Sequence, residues 1–142
     1  MTRSFLTAAA AAIALSFASA SALAADSSAM TAPPPAPYKA VSSLVKLPNF
    51  IPGLGTLYVD PAMLPAGPFL GYDHDGHLVD TVYMIPLAQM KPGMNIKDLK
   101  APAGSVDHVE IMYNAGHPGV PEPHIHIILW NVPVAQESRV AK

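Results

Sequence analysis

The chain has 142 residues with 16 prolines, six histidines and no cysteine, and its eight basic and ten acidic side chains give a net charge of −2. That balance offers no basic face for a nucleic acid, and the lack of thiols excludes iron–sulfur clusters, blue-copper thiolate centres, zinc-finger cysteines and cysteine nucleophiles. Proline at this density blocks helix interiors and central ladder positions, so the expected fold is mainly β: a small antiparallel barrel or sandwich with long proline-rich loops.

Residues 1–24 read as a signal peptide. Arg3 supplies a positive n-region, Phe5 to Phe17 form an Ala-rich apolar core, and Ala22-Leu23-Ala24 matches the small-x-small cleavage pattern. Cleavage there leaves about 118 residues, one ordinary domain. It also removes Arg3, so seven basic side chains face ten acidic ones, a net charge of −3. The expected product is periplasmic or secreted. No second apolar span follows, so no membrane association is expected after cleavage.

Residues 25–47 begin with "ADSSAMTAPPPAPYKA" and read as a flexible, proline-rich leader. The β domain is expected over 48–135. "GTLYVD" reads as a strand stopped by Pro61. "FLGYD" and "HLVDTVYMI" flank "HDGH", where Asp75-Gly76 predicts a two-residue type I′ hairpin with His74 and His77 directly across from each other. Pro86 suggests a strand end or an exposed edge. "PLAQMKPGMNIKDLKAPAG" is turn-rich, with one helical turn expected at Asn95 to Leu99.

"SVDHVEIMYN" alternates as a strand, with His108, Glu110 and Met112 on one face and Asp107, Val109, Ile111 and Tyr113 on the other. The loop "AGHPGVPEP" leads into "HIHIILW". There, His124, His126, Ile128 and Trp130 share one face, and Ile125, Ile127 and Leu129, on the other, read as core. Residues 136–142 read as a polar tail.

The histidines carry the chemistry. Two imidazoles at i and i+2 on a strand face the same way, with Cβ atoms about 6–7 Å apart, so both can reach one ion at about 2.0–2.1 Å. Pairing of the two last strands would let His108 and Glu110 oppose His126 and His124, about 4.5–5.5 Å across the ladder, subject to register. His117, in the connecting loop, can close over the same face. The candidate metal ligands are therefore His124, His126, His108, Glu110 and His117. This donor set suits zinc or copper, then manganese or iron(II). Of the six methionines outside the signal, only Met112 falls near these histidines in sequence, and methionine reads as core filler. A calcium-binding reading of "DHDGHLVD" fails, because Gly71 and Val82 would occupy positions that need carboxylates.

"PHIHIIL" resembles the histidine-triad nucleotide hydrolases, but the third histidine position is Ile128, which leaves that triad incomplete. The H-x-H strand resembles cupins, whose glutamate after the pair is missing here, as is any later histidine. The blocks "GTLYVDPAMLPAGPFLGYD", "LVDTVYMIPL" and "VDHVEIMYNAGHPGVPEPHIHIILW" resemble a group of small exported bacterial proteins of unknown function, over Pro48 to Trp130. That resemblance implies a β domain and assigns no chemistry. Three functions remain open: an exported metal-binding protein that stores, senses or delivers a divalent transition ion; a non-enzymatic module that forms homo-oligomers or binds a partner, with structural histidines; and a cupin-like, metal-dependent enzyme.

Overall fold

The computed structural model describes residues 27–100 and 103–142; the expected signal peptide lies outside the described residues. Six strands form one antiparallel sheet: β1 (Lys39–Ala40), β2 (Thr56–Val59), β3 (Phe69–Tyr72), β4 (Leu78–Pro86), β5 (His108–Asn114) and β6 (His124–Trp130). Their order across the sheet is β1-β2-β3-β4-β6-β5. The fold is mainly β, as expected. The sheet stays open at both edges rather than closing into a barrel.

Each strand ends where its sequence stops supporting a ladder. Pro61 opens a short 3₁₀ turn (Pro61–Met63) after β2, capped by the Asp60 carboxylate, which accepts from the Ala62 N–H at 3.0 Å. The β3–β4 hairpin is wider than a type I′ turn. His74, Asp75 and Gly76 form a three-residue loop, closed by Gly76 N–H to Asp73 O (3.1 Å) and Asp73 N–H to His77 O (3.0 Å). Only Gly76 takes positive φ, 78°. The Asp73 carboxylate accepts from the Asp75 and His77 N–H groups and so favours this loop over the tighter one. His74 stacks on Phe50 (centroids 3.8 Å apart) and bonds the Lys142 carbonyl, so it is a packing residue. The helical turn expected at 95–99 does not form; the chain there is irregular.

Two cores lie on opposite faces of the sheet. The larger, inner core unites Leu57, Val59, Phe69, Val82, Ile128 and Trp130 of the strands with Val41, Val120 and Val140 from the segments packed over them. The smaller, outer core joins Leu70, Tyr72 and Leu78 to Ala29 and Ala103.

The expected flexible leader is thus partly built into the domain over its described part. Ala29 and Val41 are buried, β1 pairs with β2, and the Ala32 N–H donates to Gly76 O at 2.8 Å. The expected polar tail is also docked. Val134–Val140 form a 3₁₀ helix, Val140 is fully buried, and Arg139 pairs with Asp73 through two hydrogen bonds, its Nε at 2.8 Å. One buried valine contributes about 1.5–3 kcal/mol, enough to hold a segment that composition marks as polar. Burial disfavours ionised Asp73, but the His77 N–H, the Arg139 guanidinium and the Asp75 N–H outweigh it and hold the carboxyl below its usual range.

Asp80 is the costliest side chain in the inner core. It is fully buried, and neither carboxylate oxygen has a partner among the described residues. It sits against Gly71, where an added Cβ would come within 2.2 Å of Asp80 Oδ1 and 2.4 Å of Leu54 O. Burial pushes its pKa well above the ordinary value. The native state therefore keeps the proton while the unfolded chain releases it above about pH 4, and stability falls as pH rises through that window. Asp80→Asn, which has no charge to lose, is expected to be more stable than the parent at pH 7, with the difference vanishing near pH 3.5. Urea unfolding of both proteins at the two pH values checks this.

Candidate metal centre

β6 lies between β4 and β5 and pairs with both along its whole length. Its burial alternates opposite to the expectation. His124, His126, Ile128 and Trp130 point into the inner core, while Ile125, Ile127 and Leu129 are only partly covered on the outer face. Both faces of "HIHIILW" carry large apolar residues, and the 41–54 segment and the C-terminal 3₁₀ helix cover the face that holds the tryptophan. The two histidines are consequently carried inside, at 0% and 4% exposure.

The register also differs from the one that would join all five candidate donors. Asn114 faces His124, Met112 faces His126, Glu110 faces Ile128 and His108 faces Trp130. His108 and Glu110 do share the inner face with His124 and His126, but they sit further along it. The expected pairing of His108 with His126 and of Glu110 with His124 is corrected accordingly. The donors divide into two groups, His117 with His124 and His126, and His108 with Glu110 and Glu137; a third is Asp73, Asp75 and His77. In each, one ligand atom per residue lies within 4.8 Å of the others. Histidine and acidic groups thus come close enough to hold a metal ion.

Chemistry separates these groups. His108 stacks over Trp130 and has both ring nitrogens engaged, Nδ1 with Asp107 (3.0 Å) and Nε2 with Glu137 (3.0 Å). Burial opposes its protonation, but the two carboxylates outweigh it and raise the pKa. As an imidazolium donating from both nitrogens it has no lone pair for an ion. Its role is to tie β5 to the C-terminal 3₁₀ helix. In the third group the Asp73 carboxylate is already held by Arg139 and the hairpin N–H groups.

His117, His124 and His126 form the remaining set. The loop places His117 through a tight turn in which His117 and Val120 exchange N–H to O bonds at 3.0 Å each way. Gly116 makes that turn possible, since its φ is 122° and a Cβ there would lie 2.3 Å from Pro121 O. Val120, buried in the inner core, anchors the turn. The His117 ring then lies edge-on to His124, with centroids 4.9 Å apart, and 5.8 Å from that of His126.

Hydrogen bonds fix the tautomers. His117 Nδ1 donates to Pro118 O at 3.0 Å and His124 Nδ1 to Glu122 O at 2.7 Å. Each of these rings in its neutral form therefore presents Nε2 as a lone pair, the arrangement that orients metal-ligating imidazoles. His124 Nε2 and His126 Nε2 stand 2.9 Å apart. Since His124 Nε2 accepts, His126 Nε2 must donate, which leaves His126 Nδ1 as a buried acceptor without a partner among the described residues. Two nitrogens on a tetrahedral zinc ion lie about 3.3 Å apart, so a few tenths of an ångström would turn this N–H···N contact into a pair of ligands. Three imidazoles leave a fourth position open.

Two sulfur atoms neighbour the cluster, of which only that of Met112 is apparent in the sequence. Met84 on β4 and Met112 on β5 flank His126 across the ladder. Met84 lies over 40 residues earlier in the chain, and only the strand order brings it here.

A mainly β protein with a three-histidine cluster on its inner sheet face, two of the histidines buried and His117 half-buried, is thereby defined. No family model and no curated protein matches the chain. Among solved structures it is similar to the hypothetical protein TTHB210 from Thermus thermophilus, with 48% identity over 67% of this chain and 93% of that one, and a TM-score of 0.59. The chain belongs to the same family as this Thermus protein.

Burial pulls the His126 pKa down to about 4, and the neighbouring His124 and His117 add to the effect. The unfolded chain takes up this proton near pH 6.5 and the native state only near 4, so stability falls as pH drops through that interval, by about 3 kcal/mol if this residue acts alone. His126→Gln is expected to flatten the decline, as read by urea unfolding between pH 7 and 4 in the presence of chelator.

Proposed function

We propose that this is an exported protein that binds one divalent transition metal ion through Nε2 of His117, His124 and His126, for storage, sensing or delivery. The carrying observation is the convergence of the three imidazoles, one ligand atom of each within 4.8 Å of the others, with carbonyl bonds to Nδ1 that leave Nε2 of His117 and His124 as lone pairs and His124 Nε2 already 2.9 Å from His126 Nε2. Zinc(II) and copper(II) suit three imidazoles best, and Met84 and Met112 lie beside His126. His108 and Glu110 are outside this ligand set. Export rests on the signal-like residues 1–24; among the described residues no helix is long and apolar enough to cross a membrane.

Tag-free protein reconstituted with zinc or copper(II) and then desalted is expected to retain one ion per chain. His124→Ala/His126→Ala should retain none, His117→Ala should bind at least tenfold more weakly, in line with the loss of one ligand's positioning, and His108→Gln should match the parent. Mass-spectrometric metal analysis reads all four, and equal, substoichiometric metal in parent and double variant would defeat the assignment.

A second reading is favoured by a different surface. The outer face of β5 exposes Val109 (51%), Ile111 (71%) and Tyr113 (59%) beside the half-covered Ile125, Ile127 and Leu129. Contiguous apolar area of this kind marks association surfaces, and β5 is an edge strand with one backbone side unpaired. A homo-oligomer formed there is compatible with metal binding inside. Ile111→Lys is expected to shift such an assembly to a smaller species in sedimentation velocity while leaving metal content unchanged.

A further inference from the structure

The histidine cluster is nearly shut off from solvent. His124 and His126 are buried, and the half-buried His117 ring lies against both. Whatever reaches them must be let in, and the elements around them differ in how firmly they are held. β4 and β5 flank β6 through seven paired residues each, so the sheet cannot part there without breaking both ladders. On another side lies a cavity of about 180 Å³ with apolar walls, among them Leu47, Ile51, Leu54 and Phe69. An ion taking that route would shed its water with nothing in exchange.

The turn from Ala115 to Pro121 is attached differently. Its backbone bonds are the two that His117 and Val120 exchange and the one from the Gly116 N–H to the Asn114 side chain, at 2.9 Å. Among the described residues it makes no backbone bond to any other element. Fixed structure resumes at Glu122 and Pro123, whose carbonyls accept from His124 Nδ1 and the Leu87 N–H. Two contacts seat the turn from below. Val120 is buried in the inner core, and Gly119 lies so close to Val45 that an added Cβ would stand 3.4 Å from the Val45 Cβ. A segment with one buried anchor and no outward backbone bonds opens locally at low cost, and Pro118 and Pro121 stiffen it so that it moves as a unit.

We propose that the 115–121 turn is a gate: it swings away from Val45 and the Val120 seat, carries His117 with it, and admits a small solute to His124 and His126. Its use by a metal ion rests on the reading above; the opening itself does not. Closing returns His117 to the other two rings, so the part that admits the ion also brings its third ligand.

The opening is read without metal, by diethyl pyrocarbonate, which modifies a histidine nitrogen only where it reaches one. The full domain in chelator is treated with the reagent. Peptide mass spectrometry then follows His124 and His126 together, with the exposed His77 as internal standard. The parent is expected to be labelled at His124 and His126 more slowly than at His77. Val45→Cys/Gly119→Cys staples the turn shut, because the 3.4 Å spacing is close to the roughly 3.5–4.5 Å between the Cβ atoms of a disulfide, and the chain has no other cysteine. Its oxidised form is expected to be labelled about tenfold more slowly than the parent, and its reduced, desalted form like the parent. Val120→Ala loosens the seat without placing a side chain at Gly119, and is expected to be labelled about fivefold faster. Labelling of His77 serves as the unchanged reference in each, and cooperative unfolding confirms that each folds. A parent that is never labelled at His124 and His126, undiminished labelling in the stapled form, or Val120→Ala labelled no faster than the parent would overturn the gate. Zinc uptake after removal of chelator separates the two claims. Slower uptake by the stapled form extends the gate to the ion, whereas a chain whose labelling follows the gate but which takes no zinc fails the metal reading alone.

Discussion

The seven-residue ladders that β6 makes with β4 on one side and β5 on the other govern the rest of the structure. A strand paired on both edges cannot slip without breaking two sets of backbone bonds, and a slip of one residue would turn every side chain to the opposite face. The observed register buries His124 and His126 with Ile128 and Trp130 and sets Met84 and Met112 on either side of His126. The inner core, the histidine cluster and the cavity beside it all follow from that placement.

Burying two imidazoles has an electrostatic cost that the fold offsets only in part. His124 has both nitrogens bonded, one to a backbone carbonyl and one to its neighbour. His126 keeps one nitrogen unpartnered. Asp80 and the indole nitrogen of Trp130, directly across the ladder from it, are likewise buried without partners among the described residues. Unsatisfied polar groups on the inner face of a domain this small cost stability, and such a cost is commonest where a site is kept ready for something else.

Much of the architecture is legible in the amino-acid order. The proline distribution points to β structure, and the strands ending at Val59, Pro86 and Asn114 fall where turn residues interrupt the alternation. Loop position alone puts His117 over the inner face, and the structure has it there. The hairpin at Asp73–His77 is legible as a turn but not as a type, because the Asp73 side chain closes the wider loop through bonds that only its geometry reveals. Segments 27–47 and 136–142 look unstructured because composition counts polar residues. What holds them is a few buried positions, Ala29, Val41 and Val140, and one ion pair.

By itself the sequence determined that the chain is a cysteine-free β protein, so that an ion could find only imidazole, carboxylate, thioether or backbone donors in it, with His124 and His126 as the leading pair. Only the tertiary structure decided which face of that strand is inside and which donors meet. The reason is physical: "HIHIILW" is apolar on both faces, so its alternation is symmetric with respect to burial, and the choice falls to whatever packs against it. The 41–54 segment and the C-terminal 3₁₀ helix, distant in sequence, make that choice, and the register of β5 sends His108 to Trp130 and Glu137 rather than to the cluster.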